Sequence, residues 1–451
     1  MRNIKWAFWG ILVVLSTLWL IAEPTFYQAE NLFALRGPMV QMSGVLAIGC
    51  MSVAMILALR PGWPERWLGG LDKMYRLHKW LGIAALVVAI VHWLWAKGPK
   101  WAGALGLFTR PARGERPPIE NPIEQFFMSL RGTAEGLGEW TFYAIVLLIA
   151  LALIKYFPYC YFYKTHRLIA LAYLMIAFHT VVLMKFAYWT TPIGIVTALL
   201  LAAGVYSAII VLLRQVGSSR QVDGEIVSLR YYPGVRALET EVAVPKGWPG
   251  HKPGQFAFAT SDNSEGAHPY TIASGWSEKE GRITFVTKDL GDHTGRLPEK
   301  LHVGQRVKIE GPYGCFDFQD HCRRQIWIGG GIGITPFIAA MQHIASELRT
   351  KPDGYRKLEI DLFHATSDYD ENAIAKLSAD AEAAGIRMHL FVDAKNGRLT
   401  GDRIRSLVPD WQNASIWFCG PVGMGEAIRR DFMAHGLPIN ERFHQELFEM
   451  R

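Results

Sequence analysis

Six apolar runs fill the first 216 residues: Trp6–Ala22, Met39–Leu59, Leu77–Ala96, Trp140–Tyr156, Leu168–Met184 and Ile193–Leu213. Each is close to the roughly 20 residues that a helix needs to cross a hydrocarbon core of about 30 Å. In lipid every backbone N–H and C=O must be satisfied within the chain, so runs of this kind fold as helices packed side by side. Arg2 and Lys5 ahead of the first run imitate a secretory signal. Glu23-Pro24 follows it in place of a small-residue cleavage site, so a retained span is expected.

Six spans bring both ends of the segment to one face, and basic residues choose the face. Arg60, Arg66, Lys73 and Arg76 lie between spans two and three, and Lys155, Lys164 and Arg167 between spans four and five. The positive-inside rule makes these connections cytoplasmic, and with them both termini. The expected location is the cell membrane. The 97–139 segment becomes an outer loop, in which Ile123–Leu130 reads as a short amphipathic helix on the surface or a lid.

Two histidine pairs sit in these spans. His78 and His92 are fourteen residues apart, and His166 and His179 thirteen. On a helix fourteen residues rise about 21 Å and return to within about 40° of the starting face, whereas thirteen match poorly; an irregular first turn at His166 would absorb the offset. Spans three and five run the same way, which pairs His78 with His166 inside and His92 with His179 outside. A histidine in a span is equally served by a hydrogen bond to a neighbouring helix. Four ionisable side chains in two matched pairs, however, point to two metal centres, because polar groups at that depth are costly. Two imidazoles on a haem iron leave no open position, which suits electron transfer. His364 and His435 fall outside the pattern. The chain has five cysteines and no CxxC or CxxCH, so a zinc ribbon, a disulfide framework and thioether-bound haem are not indicated. Net charge is +7 without a dense basic run, which leaves no signature of nucleic-acid binding.

After a polar linker at 215–220 the pattern changes. Short alternating runs at 225–229, 238–244, 255–259, 282–286 and 306–309 predict an antiparallel β-barrel. From Gln325 strand and helix alternate, which predicts an α/β parallel sheet. The expected fold is therefore a six-helix transmembrane bundle (1–216), a barrel domain (217–323) and an α/β nucleotide-binding domain (324–451).

Four stretches carry chemistry. In His268-Pro269-Tyr270-Thr271-Ile-Ala-Ser274 the tyrosine can lie against a flavin, the Thr271 hydroxyl or amide can reach the flavin N5 edge, and Ser274 can hold phosphate. Lys288-Asp-Leu-Gly291-Asp-His-Thr294 offers amides and a hydroxyl to a pyrophosphate. Gly329-Gly330-Gly331-Ile-Gly333-Ile-Thr335-Pro336 sits between a strand and a helix, where glycines let a dinucleotide approach the helix N-terminus. Cys419-Gly420-Pro421 ends a later strand, where the thiol can meet a nicotinamide. Each alone reads equally as a turn; their order on these elements argues otherwise.

Together with Leu71–Lys79 and the histidine spacings, these motifs resemble the NADPH oxidase and ferric reductase superfamily, over nearly the whole chain. The resemblance implies two b-type haems on His78, His92, His166 and His179, FAD on the 268–274 motif, NADPH or NADH on the 329–336 loop, and Cys419 beside the nicotinamide. It implies that Phe448, in Glu446-Leu-Phe448, covers the flavin. Two positions depart from the pattern. The stretch after the second nucleotide-domain strand, His364-Ala-Thr366-Ser367-Asp368, has no arginine; Thr366, Ser367 and Arg398 are the candidates for ribose or phosphate there. Ala96 stands where an extra outer histidine is found in superoxide-forming members. Nucleotide preference thus stays open, as does the acceptor, oxygen or a ferric chelate. The alternatives are a membrane subunit that delivers electrons to an external protein partner, and a haem-free anchor or transporter fused to a flavin reductase.

Overall fold

The computed structural model describes residues 2–105, 119–154, 157–245, 247–262, 265–350 and 358–446. Phe448, Lys155 and Tyr156 lie outside them. Two compact units are present, one comprising Met1–Leu68 and Lys73–Val216, the other Gly69–Asp72 and Gly217–Arg451.

In the first unit, α1 (Arg2–Ala22), α2 (Leu32–Ala58), a single turn α3 (Glu65–Leu68), α4 (Leu71–Ala104), α5 (Pro122–Leu153), α6 (Tyr159–Leu183) and α7 (Pro192–Leu212) follow in order. All but α3 are long and apolar enough to cross a membrane. Their starts are written locally. The Asn31 side chain accepts from Ala34 N at 2.9 Å, and Asn121 caps α5 through Ile123 N at 2.9 Å. Pro122 and Pro192 occupy first turns, where no N–H is missed. A polar tie runs through the middle of the unit, Ser52 Oγ to Tyr173 OH at 2.8 Å. A Cβ at Gly204 would stand 2.0 Å from that tyrosine oxygen, so the α6–α7 approach requires glycine there.

Two expectations change here. The 97–139 segment is largely helical among its described residues, because α4 runs on to Ala104 and α5 starts at Pro122. Ile123–Leu130 forms the opening turns of α5, not a separate helix. An ion pair between the two extensions, Lys97 Nζ to Glu139 Oε2 at 2.8 Å, lets charged residues remain helical beyond the apolar run. His166 lies seven residues into α6, not in its first turn.

The second unit begins with an antiparallel sheet. Its strands are β1 (Gln221–Tyr232), β2 (Ala237–Ala243), β3 (Phe256–Thr260), β4 (His268–Thr271), β5 (Arg282–Lys288) and β6 (Arg306–Tyr313), in the order β4-β3-β6-β1-β2-β5. The predicted barrel is not closed by a regular ladder. The two edges meet through one bridge, Ile272 with Phe285, and the bond from Ala273 N to Thr284 O at 2.8 Å. The reason is local: β4 has four residues, and its Pro269 has no N–H to donate. Single turns α8 (Asp292–Gly295) and α9 (Leu297–Lys300) connect β5 to β6.

A parallel sheet follows, built from β7 (Arg324–Gly330), β8 (Glu359–Thr366), β9 (Arg387–Val392), β10 (Ala414–Cys419) and β11 (Phe443–Gln445), ordered β11-β10-β7-β8-β9. The helices α10 (Thr335–Thr350), α11 (Glu371–Ala383), α12 (Asp393–Asn396), α13 (Gly401–Leu407), α14 (Val422–Ala434) and α15 (Ile439–Arg442) connect them. Apolar clusters fill both faces, one around Trp327, Phe337 and Leu362, the other around Phe363, Phe418 and Phe432. The chain moves outward from β7 to β8 and β9, then returns to place β10 on the other side of β7. Ligands of open α/β sheets bind outside the strand C-termini at such a reversal. Gly330 and Cys419, which end β7 and β10, both lie there.

Candidate functional site

The four membrane histidines meet in two pairs. The His78 and His166 rings lie 5.9 Å apart, centroid to centroid, at 64°. Those of His92 and His179 lie 6.3 Å apart at 77°. With metal–imidazole bonds of about 2 Å and ring nitrogens about 1 Å from the centroid, two axial rings across one metal stand about 6 Å apart. Both pairs have that separation. Their second nitrogens support the same reading. Nδ1 of His78, His92 and His179 lies 2.8, 3.0 and 2.8 Å from the carbonyls of Ala54, Val40 and Ala134. A carbonyl only accepts, so Nδ1 carries the proton and the Nε2 lone pair is left for a metal. His166 differs: its Nδ1 is buried without a hydrogen-bond partner, and its ring stacks on Phe162 at 5.0 Å.

In the second unit His268, Pro269, Tyr270 and Thr271 form β4, opposite Ala259 to Phe256 of β3. Strand alternation turns His268 and Tyr270 to one side. His268 stacks on His293 at 3.7 Å, and Tyr270 OH lies 3.1 Å from His293 Nε2. Burial pushes His268 down to about 4, with His293 adding to the shift, so the ring is neutral at pH 7. Thr271 is buried, and its hydroxyl has no hydrogen-bond partner. A native fold rarely leaves such a group unpaired, which fits a hydroxyl whose partner belongs to a bound cofactor. The Ser274 hydroxyl accepts from Thr284 N at 3.0 Å and keeps its own proton to donate. Thr294 Oγ1 accepts from Leu290 N at 3.0 Å and so helps close the exposed turn at Gly291.

The nucleotide motifs converge at the sheet reversal. Gly329 and Gly330 end β7, Gly331 adopts φ 56°, and a 3-10 turn leads into Thr335 and Pro336 at the start of α10. A Cβ at Gly333 would stand 2.2 Å from the Cys419 carbonyl oxygen, and one at Gly330 would stand 2.7 Å from Pro421 Cδ. Close packing against the Cys419-Gly420-Pro421 backbone therefore demands these glycines. Cys419 is fully buried; burial pushes its thiol well up, and Glu446 adds to the shift, so it is a thiol at pH 7.

Thr366 ends β8, but its hydroxyl is occupied. It donates to Asp368 O at 3.0 Å and accepts from Asp368 N at 3.2 Å. Ser367 and Arg398 are exposed. Asp368 pairs with Lys288 Nζ at 2.5 Å, and that hydrogen bond holds its carboxyl below the usual range. Three further residues belong to this region. Lys288, which heads the 288–294 stretch, reaches Asp368 from β5. Lys395, not singled out from the sequence, lies over the Tyr369 ring at 4.1 Å. His364, set apart from the histidine pairs, is buried with Nδ1 3.2 Å from Gly329 O, and burial pushes it down to about 4. These contacts have no sequence signal, since each residue acquires its place only when distant strands meet. Gly331, Thr366, Lys288, His364 and Ala273 line one cleft.

Residues 43–177 match the family described as ferric reductase like transmembrane component. The reductase component of propane 2-monooxygenase from Rhodococcus jostii (strain RHA1) is 26% identical over 237 residues, 49% of this chain and 60% of that protein. The electron transfer component of toluate 1,2-dioxygenase from Pseudomonas putida is 27% identical over 206 residues, 44% of this chain and 58% of that protein. This chain joins a ferric-reductase-like membrane domain to a reductase module. That composition matches the superfamily its motifs resemble, and with six apolar helices it is a multi-pass membrane protein. The chain spans about 60% of the length of the curated relatives it matches. Among solved structures, an Amycolatopsis cytochrome P450 reductase is similar over 51% of this chain and 70% of its own, at 22% identity and a TM-score of 0.43.

Proposed function

We propose that the protein is a transmembrane flavocytochrome b oxidoreductase, which carries electrons from NAD(P)H on the cytoplasmic side of the cell membrane to an acceptor on the other side. The observation that carries this reading is the pair of imidazole couples, 5.9 and 6.3 Å apart, three of whose four rings turn Nδ1 to a carbonyl. On this reading 1–216 holds two b-type haems, 217–323 holds FAD, and 324–451 holds the nicotinamide nucleotide.

When bound, FAD would supply the conversion of hydride to single electrons and the haems single-electron transfer. The protein supplies position. His78 with His166 and His92 with His179 would hold the two haems, and a metal bound by two imidazoles would favour outer-sphere transfer. Tyr270 would lie along the flavin, Thr271 would donate its unpaired hydroxyl to it, and Ser274 would donate to phosphate. Glycines 329, 330, 331 and 333 admit the nucleotide pyrophosphate to the N-terminus of α10. Neutral Cys419 and His364 line the nicotinamide end without adding charge. Lys288 neutralises Asp368, so the carboxylate repels a 2′-phosphate less than a bare one would.

With cytoplasmic termini, alternation of six spans would put His78 and His166 on the cytoplasmic side and order the path from inside to outside. His78→Leu tests it: NAD(P)H should no longer reduce haem, while a soluble dye is still reduced through the flavin. Haem content and reduction that survive the substitution would refute the assignment. Superoxide-dismutase-sensitive cytochrome c reduction, set against reduction of a ferric chelate, identifies the acceptor. A second reading has an observation of its own, since several relatives are electron transfer components of oxygenases. There the acceptor is an external partner enzyme, and turnover would be stimulated only by that partner.

A further inference from the structure

Three of the four candidate ligands are held by one local device. The Nδ1 of His78, His92 and His179 donates to a main-chain carbonyl in the body of a neighbouring helix, at Ala54, Val40 and Ala134. Such carbonyls are already engaged within their own helix and are normally covered. Helical side chains lean toward the N-terminus, so the residue one turn further on shields the carbonyl. In these three places the residue four positions on is Ala58, Gly44 and Gly138. The carbonyl is reachable because the side chain that would cover it is small or missing.

At Gly138 the requirement is steric and strict. A Cβ there would stand 2.0 Å from His179 Nδ1, 2.4 Å from Cε1 and 2.9 Å from Cγ, all within the imidazole itself. The ring occupies the volume of the absent side chain. At Gly44 the same test is milder, with His92 Cε1 at 3.3 Å. His166 lacks the device: its Nδ1 has no hydrogen-bond partner.

We propose that Gly138, with the Ala134 carbonyl below it, is a notch in α5 that positions His179. The missing side chain sets where the ring lies, and the carbonyl fixes the proton on Nδ1, so Nε2 faces His92. Gly138 is then a positioning residue for the outer haem, as Gly44 is, less stringently, for His92. The inference rests on the haem reading above.

The same helix supplies its own controls. Cβ atoms at Gly132 and Gly136 would meet nothing within 4 Å. Gly→Ala at any of the three changes helix propensity alike, so only Gly138 adds the collision. Gly132→Ala, Gly136→Ala and Gly138→Ala are made in the full chain and purified in detergent. Haem per chain is measured by haemochromogen assay, and the low-spin signals by electron paramagnetic resonance. The expected result is two haems in wild type and both controls, and one in Gly138→Ala, with one low-spin signal lost and the other unchanged. The surviving inner haem reports that the bundle has folded. Two haems with wild-type signals in Gly138→Ala would overturn the notch while leaving the haem reading intact; a wild type without b haem would overturn the haem reading itself. Should Gly138→Ala fail to accumulate, Gly44→Ala decides. It is expected to keep two haems with one low-spin signal shifted, and signals identical to wild type would overturn the device.

Discussion

Thr271→Val separates a cofactor contact from a packing contact, because the two make opposite predictions. Thr271 is 7% exposed, lies at the end of the edge strand β4, and leaves its hydroxyl buried without a partner. An unpaired buried hydroxyl costs about 1–3 kcal/mol. Valine keeps the shape and the β-branching and removes that cost. Without flavin, the variant should therefore be more stable, by about 1 kcal/mol, which raises the melting temperature of a module of this size by roughly 2–4 °C. With flavin bound, the wild-type hydroxyl gains a partner that valine cannot offer. The two effects act together on binding, which should weaken by about 2 kcal/mol, roughly 30-fold in Kd. The assay is thermal melting of the deflavinated full-length protein beside FAD titration by flavin fluorescence. An unchanged Kd would refute the placement of flavin at Thr271, and a less stable deflavinated variant would refute the unpaired hydroxyl.

Four other outcomes follow from the geometry. Gly333→Ala drives a methyl into the Cys419 carbonyl and should raise KM for NAD(P)H by at least about tenfold, equivalent to about 1.4 kcal/mol, with FAD content unchanged; steady-state kinetics read it. Asp368→Asn removes a negative charge at the end of β8 and leaves Lys288 unopposed. It should raise kcat/KM for NADPH relative to NADH by about tenfold, and an unchanged ratio would place the 2′-hydroxyl elsewhere. Buried Asp361 joins Arg324 at 2.6 Å and His389 at 2.7 Å, with exposed Arg387 at 3.4 Å; Arg324 keeps Asp410 at 3.3 Å, so Asp361→Asn should cost about 1–3 kcal/mol in chemical denaturation. His364 is neutral in the fold, with its value pushed from 6.5 to about 4, so the unfolded chain takes up a proton first as pH falls. Stability from this group is complete above pH 6.5 and is lost between 6.5 and about 4; His364→Asn should flatten the melting-temperature slope in that window.

The sequence makes the spans legible because a run of apolar residues in lipid has one outcome, a helix. It does not set their ends. α4 and α5 extend beyond the apolar runs, and Lys97 and Glu139 meet across the two extensions, a contact between residues far apart in sequence. The His78–His92 spacing falls on one helical face and reads directly. The thirteen-residue pair needed the structure, in which His166 and His179 each meet a partner despite the ideal-helix offset. The 268–274 motif reads as chemistry but conceals an edge strand, since four residues containing proline carry little strand signal. β11 is shorter still and is defined by its parallel pairing with β10. Gly138 shows the limit most clearly. Among the glycines of α5 nothing in the sequence separates it from Gly132 or Gly136, and only the ring of His179 does.

The central claim is that two histidine couples hold two haems that NAD(P)H reduces through flavin. Purified wild-type protein, assayed for haem and flavin and then reduced anaerobically with NADH and with NADPH, tests it most directly. The account predicts two b-type haems per flavin and a reduced-minus-oxidised haem spectrum that develops with at least one nucleotide. A protein without a b-type haem band, or one whose haem stays oxidised while its flavin is fully reduced, would contradict it.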